Sequence, residues 1–329
     1  MHSILIIGCG SIGERHLRCF QKTGRCEVSV CDSNAKLLQE VSSRYTVSSH
    51  ASFKDALAVR KFDALVICTP AHTHLAIARE GAAHGAALLI EKPLAVTLDE
   101  IESTREAITQ SGRFVAIAYV FHCFPWFVAA RYFLLRGEIG RPLHASAVSG
   151  QHFPTFRPAY RDIYYARHEM GGGAIQDALT HQVNAMEWML GPMTRVFCDA
   201  AHQMLEGVTV EDTVNVTARH GDVLASYAMT QFQAANEAVF EIHGELGSLK
   251  IESHAQRWGS IKHGEKDWNW QVTPPLERDD LFIAQAQSFL DGMEGKACAL
   301  STFDEAVQTL RFNIAALQSA STGLPVSIP

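Results

Sequence analysis

The pattern of apolar and polar positions changes once along the chain. Up to about residue 121, short apolar runs at 4–7, 27–31, 62–68, 86–90 and 114–119 alternate with stretches of helical spacing. Uninterrupted apolar runs are typical of strands buried on both faces of a parallel sheet. The alternation predicts an α/β domain with an N-terminal Rossmann, doubly wound parallel sheet.

Helices are predicted in this first part over 11–22, 34–44, 53–59 and 73–84. A further helix is expected after Thr97, because Thr97 and Glu100 have the spacing of a capping box. In doubly wound sheets, ligands bind beyond the carboxyl ends of the strands. Thr69–Pro70, Lys92 and His122 all follow predicted strands directly, so this edge is where we expect a site.

Beyond residue 122 the period of the pattern becomes two. Strands are predicted over 143–153, 211–219, 223–232 and 238–244, and a glycine turn at 220–222 joins the second to the third. Helices are predicted over 127–136, 277–293 and 303–321. This is typical of an α+β domain with an open, mainly antiparallel sheet. We therefore expect two domains, 1–121 and 122–329.

Composition narrows the function classes. With 329 residues, 47% of them hydrophobic, the chain can bury a sizeable core. A formal charge of −7 without a lysine or arginine run argues against nucleic-acid binding. The eight cysteines include no C-x-x-C pair and no zinc spacing, so we expect no metal site and reduced thiols in the cytoplasm. No apolar run approaches a membrane span, and the chain opens on a core strand, so we expect neither an anchor nor a signal peptide.

The segment after the first strand carries three glycines at G-x-G-x-x-G spacing. Gly8 permits a tight turn, Gly10 lets the backbone approach a pyrophosphate, and Gly13 lets the next helix lie close to the strand. The N–H groups at the start of that helix point at the same phosphates. The predicted pyrophosphate site is Gly8, Gly10, Ser11, Ile12 and Gly13.

Asp32 closes the second strand at the distance expected for an acid that binds the adenosine ribose. Its carboxylate would accept a hydrogen bond from a 2′-hydroxyl and repel a 2′-phosphate. The next residues, Ser33 and Asn34, supply no arginine. The sequence therefore favours NAD over NADP.

Lys92 follows a buried strand, and Pro93 holds its backbone extended. In that position its ammonium could act near the reactive end of a cofactor. The alternative is an ion pair with Glu91.

Asp177 and His181 lie four residues apart in a segment predicted to be helical from 171 to 190. That spacing places both side chains on one helix face. A histidine beside a carboxylate suits proton transfer from an alcohol. A surface Asp–His pair is the alternative, and from this stretch alone it is favoured.

Taken together, these motifs resemble the glucose-fructose oxidoreductase/inositol dehydrogenase/MocA (Gfo/Idh/MocA) family over essentially the whole chain. The resemblance rests on the glycine motif, Thr69–Pro70 with His74, Glu91-Lys92-Pro93, and Gly171-Gly172-Gly173 with Asp177 and His181. It implies reversible oxidation of a secondary alcohol on a sugar, cyclitol or related polyol. It implies Lys92, Asp177 and His181 as the catalytic set. Around the cofactor it implies Thr69, Pro70, His74, Glu91 and Lys92.

The chain departs from the family pattern at three places. The second domain starts with His122-Cys123-Phe124-Pro125 where an Arg-Phe pair is frequent. Asn184 replaces an acid three residues after the histidine, and Ala71 replaces an asparagine after Thr-Pro. These differences bear on substrate contacts more than on the chemistry.

Several cations border the cleft that the family resemblance implies, and some could meet a carboxylate or phosphate on the substrate. A solvated loop or a subunit contact is the alternative. The candidate substrate residues are His122, Arg157, Arg161 and Arg167.

Three function classes remain open. The first is an NAD(P)-dependent dehydrogenase, with His181 taking the hydroxyl proton and Lys92 stabilising the oxygen. The second is a regulatory protein that binds a dinucleotide without turnover. The third is an NAD-using lyase or glycosidase with transient oxidation. In each case an open sheet needs covering, so we expect a homodimer or homotetramer formed through the C-terminal sheet.

Overall fold

The computed structural model describes residues 1–329. Its strands are β1 (His2–Ile7), β2 (Cys26–Cys31), β3 (Ser48–His50), β4 (Ala64–Ile67), β5 (Ala87–Ile90), β6 (Val115–Ile117), β7 (Pro142–Gly150), β8 (Arg195–Ala201), β9 (Thr213–His220), β10 (Val223–Thr230), β11 (Glu237–Gly244), β12 (Gly247–Glu252), β13 (Arg257–Lys262), β14 (Asn269–Val272) and β15 (Val326–Ser327). Its helices are α1 (Ser11–Lys22), α2 (Ala35–Tyr45), α3 (Phe53–Val59), α4 (His74–Ala83), α5 (Ile101–Ser111), α6 (Pro125–Leu135), α7 (Phe153–Phe156), α8 (Thr180–Leu190), α9 (Arg278–Met293) and α10 (Phe303–Thr322). None of the helices combines the length and the apolar content needed to cross a membrane.

The chain divides into two compact units. The first contains Met1–Cys123 and Leu276–Ala306, and the second contains Phe124–Pro275 and Val307–Pro329. The division drawn from the sequence, 1–121 and 122–329, has a single boundary, whereas each unit of the structure is built from two separate segments.

The first unit is a six-stranded parallel sheet with the order β3-β2-β1-β4-β5-β6. Its central strands β1, β4 and β5 bury nearly every side chain, as their uninterrupted apolar runs predict. The strand order reverses between β1 and β4, the point where such sheets bind ligands. The predicted Rossmann sheet is confirmed.

Helix α9 explains why residues 276–306 belong to the first unit. Its Phe289 contacts Phe20 of α1 edge to face, with ring centroids 6.1 Å apart, and Ala286 and Leu290 lie in the same core. Arg18 of α1 donates from Nε and Nη2 to Asp279 of α9 at 2.6 and 2.8 Å. The apolar face of this late helix thus completes the core around the first strand.

The second unit contains a nine-stranded sheet with the order β14-β13-β12-β11-β7-β10-β9-β8-β15. Only β7 and β10 pair in parallel, and the other neighbours are antiparallel. In β9 buried and more exposed residues alternate, and His220 pairs with Val223, so the turn predicted at 220–222 contains only Gly221 and Asp222. The mainly antiparallel sheet is confirmed.

Two local predictions are wrong. Helix α5 begins at Ile101, after Glu100 at a left-handed φ of +63°, and Thr97 Oγ1 accepts instead from the N–H of Asp99 at 3.3 Å. The segment before α8 is a π-helix, Ala174–Leu179, rather than the start of one continuous α-helix. The conformation of Glu100 delays the first helix, and the N–H of Ile175 in the π-helix bonds a residue 36 positions further along the chain, so the local pattern predicts neither.

Candidate active site

The glycine turn connects β1 to α1. A Cβ at Gly8, which has a φ of +98°, would lie 2.7 Å from the carbonyl oxygen of Cys68, and one at Gly13 would overlap the carbonyl oxygen of Gly8. These two glycines are therefore required by the protein's own packing. A Cβ at Gly10, in contrast, would have no neighbour within 4 Å. That position is open on the outside, as the approach of a ligand to the backbone requires.

The first turn of α1 begins after Gly10, which provides no side-chain cap. The N–H groups of Ser11 and Ile12 at this end belong to the unsatisfied donors of a helix start, where the helix dipole favours an anion. The turn thus has the donors and the space for a pyrophosphate.

Asp32 lies just after β2, with its carboxylate fixed by two backbone donors. The N–H of Cys9 donates to Oδ2 at 2.6 Å, and the N–H of Asn34 donates to Oδ1 at 2.7 Å. Each oxygen keeps a further lone pair for another donor. The negative charge is therefore held beside the glycine turn, where the sequence predicts the ribose site.

Glu91, which follows β5, is buried against α1. Its Oε1 accepts from His16 Nε2 at 2.7 Å, and its Oε2 accepts from the backbone N–H of Lys92 at 3.0 Å. The Lys92–Pro93 peptide bond is cis. Glu91 therefore joins the helix after the glycine turn to the loop that carries Lys92, rather than presenting an open carboxylate.

His74, at the start of α4, is buried between two loops. Its Nε2 lies 2.8 Å from the carbonyl oxygen of Thr69, and its Nδ1 lies 3.1 Å from that of Pro93. Burial lowers the pKa of the imidazole. The loop after β4 is also held by Thr73, whose hydroxyl forms hydrogen bonds with Thr69 Oγ1, at 2.6 Å, and with the carbonyl of Pro70, at 2.8 Å. His74 thus fixes the ends of β4 and β5 from inside.

The substrate candidate in the first unit, His122, is also buried. Its Nδ1 lies 2.8 Å from the carbonyl oxygen of Ala299. This bond anchors the end of the β6 segment to the chain that precedes α10.

Asp177 lies within the π-helix Ala174–Leu179, and His181 lies in the first turn of α8. Both side chains are half-buried, and Tyr164 Oη donates to Asp177 Oδ1 at 2.7 Å. Because a π-turn closes on i+5, a spacing of four no longer guarantees one shared face. Single-turn π segments of this kind are frequent at functional sites.

Two of the three glycines before the π-helix bring the chain close to other parts of the protein. A Cβ at Gly172 would lie 2.6 Å from the carbonyl oxygen of Tyr164. One at Gly173, where φ is +87°, would lie 2.6 Å from Oε1 of Glu211. Glu211 is buried and lies just before β9, and it is not among the site residues predicted from the sequence. Its signal in the sequence is an acidic pair, 211–212, at the start of an otherwise alternating strand.

The three candidate arginines differ. Arg161 Nε donates to the carbonyl of Glu206 at 2.8 Å and to Tyr160 Oη at 3.1 Å, and its Nη2 lies 3.3 Å from Oε2 of Glu206. These bonds give Arg161 a structural role. All three arginines are exposed, so the difference lies in these bonds and not in burial.

Asn184, where the family pattern has an acid, is buried within the second unit. Its Nδ2 donates to Thr309 Oγ1 of α10 at 3.1 Å. The amide thus helps to hold α8 against α10.

Two sequence profiles of one family match the chain. The profile described as "Oxidoreductase family, NAD-binding Rossmann fold" matches residues 2–119, and the "GFO/IDH/MocA C-terminal domain" matches residues 127–250. The first profile ends close to the last strand of the parallel sheet. The second begins inside α6 and ends inside β12.

Three known proteins illustrate the similarity. Inositol 2-dehydrogenase of Burkholderia vietnamiensis is 29% identical over 196 residues, which is 56% of this chain and 53% of that protein, so the match spans about half its length. The Burkholderia lata enzyme of the same name is 27% identical over 310 residues, 89% of this chain and 86% of that protein. Levoglucosan dehydrogenase, solved with NADH and levoglucosan, superimposes with a TM-score of 0.89 at 20% identity, covering 100% of this chain and 99% of that one, and shares its fold.

Proposed function

The chain belongs to the Gfo/Idh/MocA oxidoreductase family, and we propose that it is an NAD-dependent dehydrogenase or reductase. Its substrate is the secondary alcohol of a sugar, cyclitol or sugar derivative. The observation that carries the proposal is the glycine turn, in which Gly8 and Gly13 are fixed by packing while the space outside Gly10 is open. That turn fits the pyrophosphate of a dinucleotide, and NAD supplies the hydride acceptor when bound.

The catalytic roles fall to three side chains. His181 removes the proton of the substrate hydroxyl, and Lys92 donates a hydrogen bond to the same oxygen and stabilises the developing alkoxide. Asp177, which accepts from Tyr164 Oη at 2.7 Å, orients the histidine and tunes its basicity. In the reductive direction the proton moves back to the oxygen.

The residues around the glycine turn are assigned to cofactor binding in this proposal. Ser11 and Ile12 donate to the pyrophosphate, and Thr69–Pro70 border the cofactor. Glu91 and His74 act from inside by holding the loops of Lys92 and Thr69, as their contacts with His16 and with the Pro93 carbonyl support.

We propose NAD rather than NADP as the preferred cofactor. Support comes from Asp32, whose charged end is fixed by the N–H groups of Cys9 and Asn34. A 2′-phosphate near that carboxylate would be repelled.

The residues that bind the substrate are less narrowly defined than those that bind the cofactor. Arg157 and Arg167 are exposed and can meet an anionic group on the substrate, whereas Arg161 is engaged with Glu206. A panel of neutral and anionic polyols tests this: a preference for neutral sugars alone removes any role for the two arginines. NADH accumulation on substrate addition separates net oxidation from internal recycling by a lyase or glycosidase.

We further propose a homodimer or homotetramer formed through the nine-stranded sheet. By strand register one face of this sheet carries Val148, Leu224 and Phe197, which are 53%, 50% and 41% exposed. Light scattering of V148K should show a smaller particle than the wild type. The cytoplasm is the compartment that suits eight cysteines without pairing motifs.

The test of the proposed chemistry is substitution of the two groups that act on the oxygen. H181A and K92M should each lower kcat at least about a hundredfold at saturating NAD, as loss of positioned acid–base catalysis does. The exposed residues His84 and Lys54 provide matched controls, H84A and K54M, which should keep wild-type turnover. Near-normal kcat in either H181A or K92M would overturn the assignment.

A further inference from the structure

Glu211 is the residue on which the start of the π-helix depends. It is buried, precedes β9 by two positions, and contacts the segment that carries Asp177 through both its backbone and its side chain. We infer that Glu211 is a positioning residue for Asp177 and His181. The inference rests on the proposed function for the roles of those two residues.

Glu211 accepts hydrogen bonds from two backbone N–H groups at the start of the π-helix. The N–H of Ile175 donates to Glu211 Oε1 at 2.8 Å, and the N–H of Ala174 donates to the Glu211 carbonyl oxygen at 3.0 Å. Helix starts leave such donors unsatisfied, and Gly173 has no side chain with which to cap them. The cap therefore comes from a residue 36 positions further along the chain.

The glycine before the helix is what admits this carboxylate. With a φ of +87°, Gly173 adopts a backbone conformation that L side chains rarely take. A Cβ there would also lie 2.6 and 2.7 Å from the two carboxylate oxygens of Glu211. Because Gly173 has no side chain, the carboxylate of Glu211 has room to cap the helix.

His168 contacts the second carboxylate oxygen of Glu211. Its Nε2 bonds Oε2 of Glu211, a contact that raises the pKa of the imidazole. The carbonyl of His168 accepts from Gln176 Nε2 at 3.0 Å. One carboxylate therefore ties the turn before the three glycines to the helix after them.

Three consecutive glycines would otherwise leave this connection free to sample many backbone conformations. Asp177 lies two residues beyond Ile175, inside the capped turn, and His181 follows in the next turn. A change at the cap would therefore move both side chains. Because catalysis depends on near-attack geometry, the cap should affect the chemical step more than binding.

The experiment compares E211A and E211Q in the full chain. E211A removes the acceptor of Ile175 N–H, whereas E211Q keeps a carbonyl oxygen in the same place. We expect amide hydrogen exchange over residues 174–181 to accelerate at least about tenfold in E211A and to stay within about threefold of wild type in E211Q. If E211A does not fold, E211D, whose carboxylate is one methylene shorter, should accelerate exchange at least about threefold.

A second buried acid provides the control. Asp212 is buried beside Glu211, but its carboxylate accepts from the N–H groups of Gln203, Met204 and Leu205, at 2.8–2.9 Å. D212N should therefore accelerate exchange over residues 203–205 and not over 174–181. Equal exchange in E211A and D212N would overturn the inference.

Turnover gives an independent readout. E211A should lower kcat about tenfold, raise the primary deuterium isotope effect on hydride transfer, and leave the Kd for NAD unchanged. A loss of activity that merely follows the folded fraction, with an unchanged isotope effect, contradicts a positioning role. If the wild type oxidises no polyol at all, the proposed function fails, while the exchange experiment still decides the role of Glu211.

Discussion

Replacing His16 with alanine should destabilise the first unit strongly, because it removes a partner of the buried carboxylate of Glu91. The two side chains are only 1% and 8% exposed, and His16 Nε2 lies 2.7 Å from Glu91 Oε1. In the H16A variant Oε1 loses this donor, while Oε2 keeps the backbone N–H of Lys92. The buried carboxylate of Glu91 would then keep one of the two hydrogen bonds that compensate for its burial.

The structure sets the size of the effect. The ring of His16 is flanked by Phe20 and Phe282, with centroids 6.4 and 5.8 Å away, so water entering the vacated space would find few polar partners. Breaking a buried pair on one side costs about 3–5 kcal/mol. For a unit of this size, that corresponds to a melting temperature lower by roughly 6–20 °C.

The two units can be followed separately. All five tryptophans lie in the second unit, so tryptophan fluorescence reports its unfolding, while amide exchange in β1 and β4 reports the first. H16A should accelerate exchange in β1 and β4. H16Q, which keeps a donor, should lose less than half as much stability, and the exposed K36A should lose none. A loss below about 1 kcal/mol in H16A would refute the reasoning, because it would fall in the range of exposed ion pairs.

Three further outcomes are expected. G10A should fold with wild-type stability but bind NAD at least about tenfold more weakly, whereas G13A should fail to fold stably because its Cβ would overlap the carbonyl of Gly8; calorimetric titration and circular dichroism check both. The specificity constant kcat/KM, measured by steady-state kinetics, should be higher with NAD than with NADP. In D32A the ratio of the NAD value to the NADP value should be smaller. The pKa of His168 is raised above 6.5 by Glu211, so its contribution to stability is complete below pH 6.5 and is lost as the pH rises through the raised value. In urea melts the free energy of unfolding should fall over this pH range in the wild type and not in H168Q.

The parts predicted from sequence are those encoded by local patterns. Uninterrupted apolar runs identify β1, β4 and β5, and alternation identifies β9 and β10, because burial on two faces or one leaves a direct trace in the residue order. The glycine spacing and Asp32 lie within one strand-helix-strand unit. Family membership follows from the same motifs.

The parts that sequence does not predict depend on distant contacts. The π-helix start is capped by Glu211, a residue far along the chain, so the local pattern indicates an ordinary helix. Glu91 and His74 belong to the recognised motifs, but their contacts are with buried partners on other elements. Thr97 matches a capping box, yet the left-handed conformation of Glu100 delays the start of α5.

Helix α9 has a practical consequence for anyone who wishes to divide this protein. A fragment ending near residue 123 would lack the helix whose Phe289 contacts Phe20, and would leave that apolar surface open to water. Such a fragment should aggregate on expression unless residues 276–306 are supplied, for example by a short artificial linker. Exchanging the nucleotide unit between relatives accordingly means transplanting two pieces of gene, not one.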